Sequence, residues 1–196
     1  PVRIDVASLD ALAAKNVSAI GCLANNEFVE KLDLDWFSLC DRWYPGHGGW
    51  LIRTIHNPYG TGRNVVLLGA SEDSMLASAV AAFCAQLKPG TRCEVGRIWD
   101  IHLGEGMARD PEVDTVGLLH PFNDRDQGIG LSKVFQHGLR YWYTGNEAYA
   151  REFMDSVAAD PGQIAAAGHY QAHKHPLIWD VIEESPTFTD EQRLLV

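Results

Sequence analysis

Basic residues are scarce in this 196-residue chain: 16 Lys and Arg stand against 26 Asp and Glu, for a formal net charge of -10. Phosphate backbones and anionic lipid surfaces need clustered Lys and Arg, so neither nucleic acid nor a membrane surface is an expected partner. A local pocket on an acidic protein can still take an acidic sugar, which keeps polyanionic glycans open. Long apolar runs are missing as well, and nothing approaches the ~20 residues that span a bilayer. No basic segment followed by a hydrophobic stretch marks a signal peptide, an absence of little weight in a chain that starts at Pro1.

Cysteine is sparse and scattered. Cys22, Cys40, Cys84 and Cys93 form no CxxC pair, so a zinc site is not expected. Buried thiols are the ordinary reading, and spacing leaves a disulfide open. P-loop, HExxH, nucleophile-elbow and paired-carboxylate patterns are also absent. Gly60 and Gly62 precede the apolar run Val65–Leu68, whereas a dinucleotide fingerprint follows its strand. The helix beyond opens with Ser71-Glu72-Asp73, whose carboxylates would repel a pyrophosphate. Those glycines therefore read as a hairpin turn. No cofactor is expected.

What is present is ordinary globular material: 46% hydrophobic and 21% charged residues. A chain of this length buries roughly 70% of its unfolded surface, enough for one large core or two modest ones. Its first part alternates strand and helix signals. Val17 to Leu23 is a short apolar run, and Asn25 or Asn26 can cap a helix carrying Phe28 and Leu32. Trp50 to His56 reads as a strand, and Asn57 to Gly62 as a turn. Val65 to Leu68 reads as a buried strand. Ser71 is the expected N-cap of a helix with Met75, Ala79, Phe83 and Leu87 on one stripe, ended by Lys88-Pro89-Gly90. Cys93 to Leu103 returns to a period of two, so strand, helix and strand predict a crossover with part of the sheet parallel.

Gly104 to about Asp114 is polar and without period, the expected linker. Beyond it the pattern is helical. Ile129, Val134, Phe135, Leu139 and Trp142 share one helix, Thr144-Gly145-Asn146 makes a tight connection, and Tyr149, Phe153 and Val157 line a second. So short a connection forces an antiparallel αα-hairpin. A third helical stretch spans Ile164 to Glu184, interrupted near Pro176. Thr189 and Gln192 fit a capping box, and a helix begun so close to Val196 is expected to be part of a truncated chain. The fold class is thus α/β, a small mixed sheet with helices over 1–114, followed over 115–196 by an all-α segment of antiparallel helices.

Chemistry-bearing residues concentrate in the second part. His169 and His173 fall on one helical face, suited to substrate contact or acid–base work near neutral pH; His175, just before Pro176, is biased out of the helix. Solvated or core histidines are the bland alternative, and no metal is expected. Tyr143, Tyr170 and Trp179 offer aromatic faces for sugar C–H groups, although core packing is the ordinary role of any one of them. Asn123 and Asp124 lie at the mouth of the first helix, where they can face a cleft, and Asp124 can equally be a plain N-cap. Asn123, Asp124, Tyr143, His169, Tyr170, His173 and Trp179 are therefore the substrate-binding candidates. No catalytic residue is assigned.

The run Gly62-Arg63-Asn64-Val65-Val66-Leu67-Leu68-Gly69-Ala70-Ser71, with the alanine-rich helix after it, resembles the small α/β domain that precedes the catalytic domain of hexosaminidase-type and α-glucuronidase-type enzymes. Val17 to Leu32 fits the opening strand and helix of such domains. Leu139 to Ala150 (LRYWYTGNEAYA) is similar to a helix-hairpin signature of (α/α) toroid enzymes, heparinase II/III-like polysaccharide lyases among them. Trp179 to Glu184 suits the same setting. The resemblance implies an incomplete (α/α) toroid in a polysaccharide lyase or glycoside hydrolase. Its ligand would be a polysaccharide or oligosaccharide, its partner the remaining helical domain, and this piece alone would be inactive. A non-catalytic carbohydrate-binding or scaffold module is the alternative. A secreted or periplasmic location is expected.

Overall fold

A computed structural model describes residues 14–88, 94–110, 129–159 and 174–196, except the side chains of 129–133 and 174–175. The chain divides into two compact units, Pro1–Ala108 and Arg109–Val196. The first holds β1 (Val17–Ile20), α1 (Glu27–Leu34), β2 (Trp50–Ile55), β3 (Val65–Ala70), α2 (Asp73–Gln86) and β4 (Trp99–His102). The elements described in the second are helices: α3 (Ile129–Thr144), α4 (Glu147–Ala159), α5 (Lys174–Ile182) and α6 (Asp190–Leu195). A small mixed sheet with helices, followed among the described residues by further helices, is consistent with the α/β class that the patterning predicts.

Local chemistry starts α1. The Asn26 side chain accepts from the Phe28 and Val29 N–H groups at 2.9 and 3.3 Å, and its amide donates to the Ile20 carbonyl at 3.0 Å. One residue thus caps the helix and pins it to the end of β1. Phe28, Val29 and Leu32 are fully buried on the inner face, each contributing roughly 1.5–3 kcal/mol.

The sheet order is β1-β3-β2-β4. β2 and β3 form the expected hairpin, antiparallel with Ile52 opposite Leu68. Its turn depends on Asn57, whose Oδ1 accepts the Gly62 N–H at 2.6 Å, while Gly60 and Gly62 hold φ of 68° and 71°. The hydrogen-bonded parallel pair is β1 with β3. β4 pairs antiparallel with β2, so β3, α2 and β4 make a same-direction crossover with β2 inserted between its strands.

Three expectations need correction here. Ser71 is not the cap of α2: that position is Glu72, and the Ser71 hydroxyl accepts the Gly46 N–H at 2.8 Å. The apolar stripe is only partly realised, since Ala79 alone is fully buried and Leu87 lies just past the helix. Ala79 packs with Ile52, Leu68 and Ile98, joined by Phe83 and Val80. The last strand is shorter than its period suggests, because the Ile98 N–H goes to the Thr54 hydroxyl at 2.6 Å rather than to a ladder carbonyl. Val95 is consequently exposed. On the opposite face Arg53 is buried, its guanidinium carbon 3.8 Å from the Trp99 ring centroid.

In the helical unit, α3 ends at Gly145, whose φ is 68° and whose N–H bonds the Tyr141 carbonyl at 2.8 Å. Asn146 then caps α4 through the Ala148 N–H at 3.0 Å. Tyr149, Phe153 and Val157 are buried on one face of α4, as their spacing predicts. Gly138 lets α5 approach, since a Cβ there would meet Ile178 Cγ1 at 2.5 Å. Tyr141 buries its ring, and its hydroxyl bonds Ser185 and Thr187. Pro176 is the third residue of α5, and the expected helical stretch from Ile164 begins outside the described residues. The Thr189–Gln192 capping box forms, with reciprocal bonds of 3.2 and 2.8 Å.

Candidate functional site

Two of the seven candidate residues fall within described side chains. Tyr143 is half-buried on α3. Trp179 is buried, its ring parallel to that of Phe153 at 5.9 Å between centroids and tilted against Phe188 at 5.3 Å. Its observed contacts are those of a core residue. Asn123, Asp124, His169, Tyr170 and His173 lie outside the described residues. The same unit pairs His137 Nδ1 with Glu152 Oε2 at 2.9 Å and joins the Tyr149 hydroxyl to Asp110.

A more developed constellation lies in the α/β unit. A cleft of about 430 Å³ opens beyond the carboxyl ends of β1 and β3, lined by Cys22, Asn25, Arg42, Ser71, Glu72 and Asp73. Loops at that end of parallel strands are where α/β sheets place ligands, because the strands hold the loops rigidly and leave a crevice between them. Asn25 spans it, accepting the Cys22 N–H at 2.7 Å and donating to Asp73 Oδ1 at 2.6 Å.

The rim is built by the segment before β2. Asp41 accepts both the Trp43 and Tyr44 N–H groups at 2.7 Å, fixing a turn on which the Trp43 side chain is 82% exposed. The next loop is clamped from two sides. Gly46 donates to Ser71, while Gly104 and Glu105 N–H groups bond the Pro45 and His47 carbonyls, both at 2.8 Å. Gly104, the expected start of a linker, is thus packed against this loop, and a Cβ there would strike the His47 carbonyl.

The clamp presents His47 to Glu72, with Nδ1 2.7 Å from Oε1, and the Gly48 N–H donates to the other carboxylate oxygen at 3.3 Å. The hydrogen bond to Glu72, then its charge, raises the His47 pKa above its ordinary value. The same bond, helped by Gly48, lowers that of Glu72. Glu72 and Asp73, the carboxylates expected to repel a pyrophosphate, are here engaged with His47 and Asn25. Among the described residues, no three His, Cys, Asp or Glu side chains converge to hold a metal.

Chemically, the cleft offers an amide, carboxylates and a guanidinium for bonding hydroxyl or carboxylate groups. No protein-family profile, curated protein or solved structure matches the chain. No described helix is long and apolar enough to cross a membrane. The cleft escapes sequence reasoning because its residues lie in three separate segments. The signal that finds it is the parallel pairing of β1 with β3, which becomes visible only once the strand order is known.

Proposed function

We propose that the chain is part of a carbohydrate-active enzyme acting on a polysaccharide, either a polysaccharide lyase or a glycoside hydrolase, and that its α/β unit supplies a sugar-binding face. The carrying observation is the polar cleft over β1 and β3, lined by Arg42, whose chain neighbour Trp43 is exposed on a fixed turn. Sugars present hydroxyls that suit Asn25, Arg42 and Asp73, and C–H faces that suit an indole. In this reading the αα-hairpin of α3 and α4 is the start of an (α/α) toroid. The exposed Leu177, Leu194 and Leu195 suit packing against further helices. Asn123, His169, Tyr170 and His173 are the residue types that uronate chemistry employs, and this piece alone is inactive.

Titrating the chain with neutral and uronate-containing oligosaccharides, followed by calorimetry and Trp fluorescence, tests the proposal. At least one class is expected to bind, and Trp43→Ala is expected to weaken it about tenfold, a loss of roughly 1.4 kcal/mol. Silence across the whole panel overturns the reading. Binding that Trp43→Ala and Asp73→Asn both leave unchanged overturns the assignment of the cleft. A parent chain carrying the additional helices that binds without cleaving is instead a non-catalytic carbohydrate-binding module.

A further inference from the structure

Cys22 and Cys40 are distant in sequence and adjacent in the fold. The Leu23 N–H donates to the Cys40 carbonyl at 2.8 Å, and Cys40 Sγ lies 3.8 Å from the Gly21 carbonyl oxygen. Cys40 is therefore held against both sequence neighbours of Cys22. Asp33 fixes it from the other side, accepting the Cys40 N–H at 3.1 Å and the Ser38 hydroxyl. The sulfur fills the space that Gly69 leaves on β3, where a Cβ would strike it at 2.5 Å. Both thiols are reduced and buried, yet Cys22 also lines the cleft. Their proximity is felt electrostatically: after burial, a Cys22 charge is the next cause that pushes the Cys40 thiol pKa upward.

We propose that Cys22 and Cys40 form a redox pair that closes into a disulfide when a disulfide oxidant is present, tying the loop after β1 to the segment carrying Arg42, Trp43 and His47. Cys22, the residue at the cleft, loses its proton and attacks a sulfur of a small-molecule disulfide such as oxidised glutathione, expelling one glutathione thiolate. Cys40 then loses its proton and attacks the Cys22 sulfur of the mixed disulfide, expelling the second. Two cysteine thiols are oxidised to one disulfide, and one glutathione disulfide is reduced to two thiols that take up the two protons. Burial, which raises the Cys40 thiol pKa, slows the second step, since the thiolate is the attacking species. The proposal stands apart from the carbohydrate reading and needs no sugar.

The test is to equilibrate the whole chain with oxidised or reduced glutathione, block remaining thiols by alkylation, and map peptides without reduction. A linked peptide containing Cys22 and Cys40 is expected in the oxidised sample alone, and it should survive Cys84→Ser. Closing so short a loop should raise the melting temperature by roughly 5–10 °C, a shift lost in Cys22→Ser. The peptide map of the unsubstituted chain decides even where a cysteine variant fails to fold. Recovery of Cys22 and Cys40 as separate alkylated thiols or separate glutathione adducts overturns the proposal, as does linkage of either one to Cys84 or Cys93.

Discussion

His47 and Glu72 support one another only while both are charged, which gives the rim of the cleft a defined pH range. His47 has a raised pKa, so its contribution is fully present below the ordinary value of 6.5 and is lost as pH rises through the higher folded value. Glu72 has a lowered pKa, so its contribution is present above 4.5 and lost as pH falls through the lower folded value. The pair is therefore intact between those two ordinary values. Proton NMR should show the His47 ring titrating above 6.5, and Glu72→Gln should bring it back; a ring that titrates normally in the unsubstituted chain refutes the pairing. At this scale the sequence is legible where the chemistry is local. Asn26 as a cap follows from its neighbours, whereas the partner of Glu72 lies on a loop that only the assembled sheet brings close. Trp179 has the composition of a sugar platform, but Phe153 and Phe188 cover it from elements whose approach no spacing reveals.

Elements were legible in proportion to how far their causes lie along the chain. The hairpin of β2 and β3 follows from Asn57, Gly60 and Gly62, and the αα-hairpin from Gly145 and Asn146, all of which act within a few residues. β4 is shorter than its period suggests because the Thr54 hydroxyl, on another strand, takes the Ile98 N–H. The crossover direction follows from the pattern, but the intervening place of β2 does not, since patterning shows which face is apolar and not which strand is adjacent. The dual role of Asn26 yields a prediction for α1. Asn26→Ala removes both helix-capping bonds and the bond to Ile20, and should cost about 1–2 kcal/mol in urea unfolding. Hydrogen exchange should quicken at the Phe28 and Val29 amides, and unchanged protection there would mean that the cap contributes little.

At the scale of the molecule, each of the two compact units has buried apolar residues of its own among the described residues. Ile52, Leu68, Ala79 and Ile98 belong to the sheet unit; Tyr141, Phe153, Ile178, Ile182 and Phe188 belong to the helical one. Phe153→Ala should cost roughly 3–5 kcal/mol where that ring packs on Trp179. Exchange protection should fall across α3 and α4 while β2 and β3 amides keep theirs; joint loss would show a single cooperative unit. The strand order has a consequence for the behaviour of the protein in concentrated solution. β1 and β4 lie at the two ends of that order, and each is only four residues long. A border so brief offers an incoming chain too few open backbone groups to template a growing ladder. The longer six-residue strands, whose apolar runs would be the hazard, are enclosed between them. Placing its shortest strands outermost is how this fold shields its stickiest sequences from self-association.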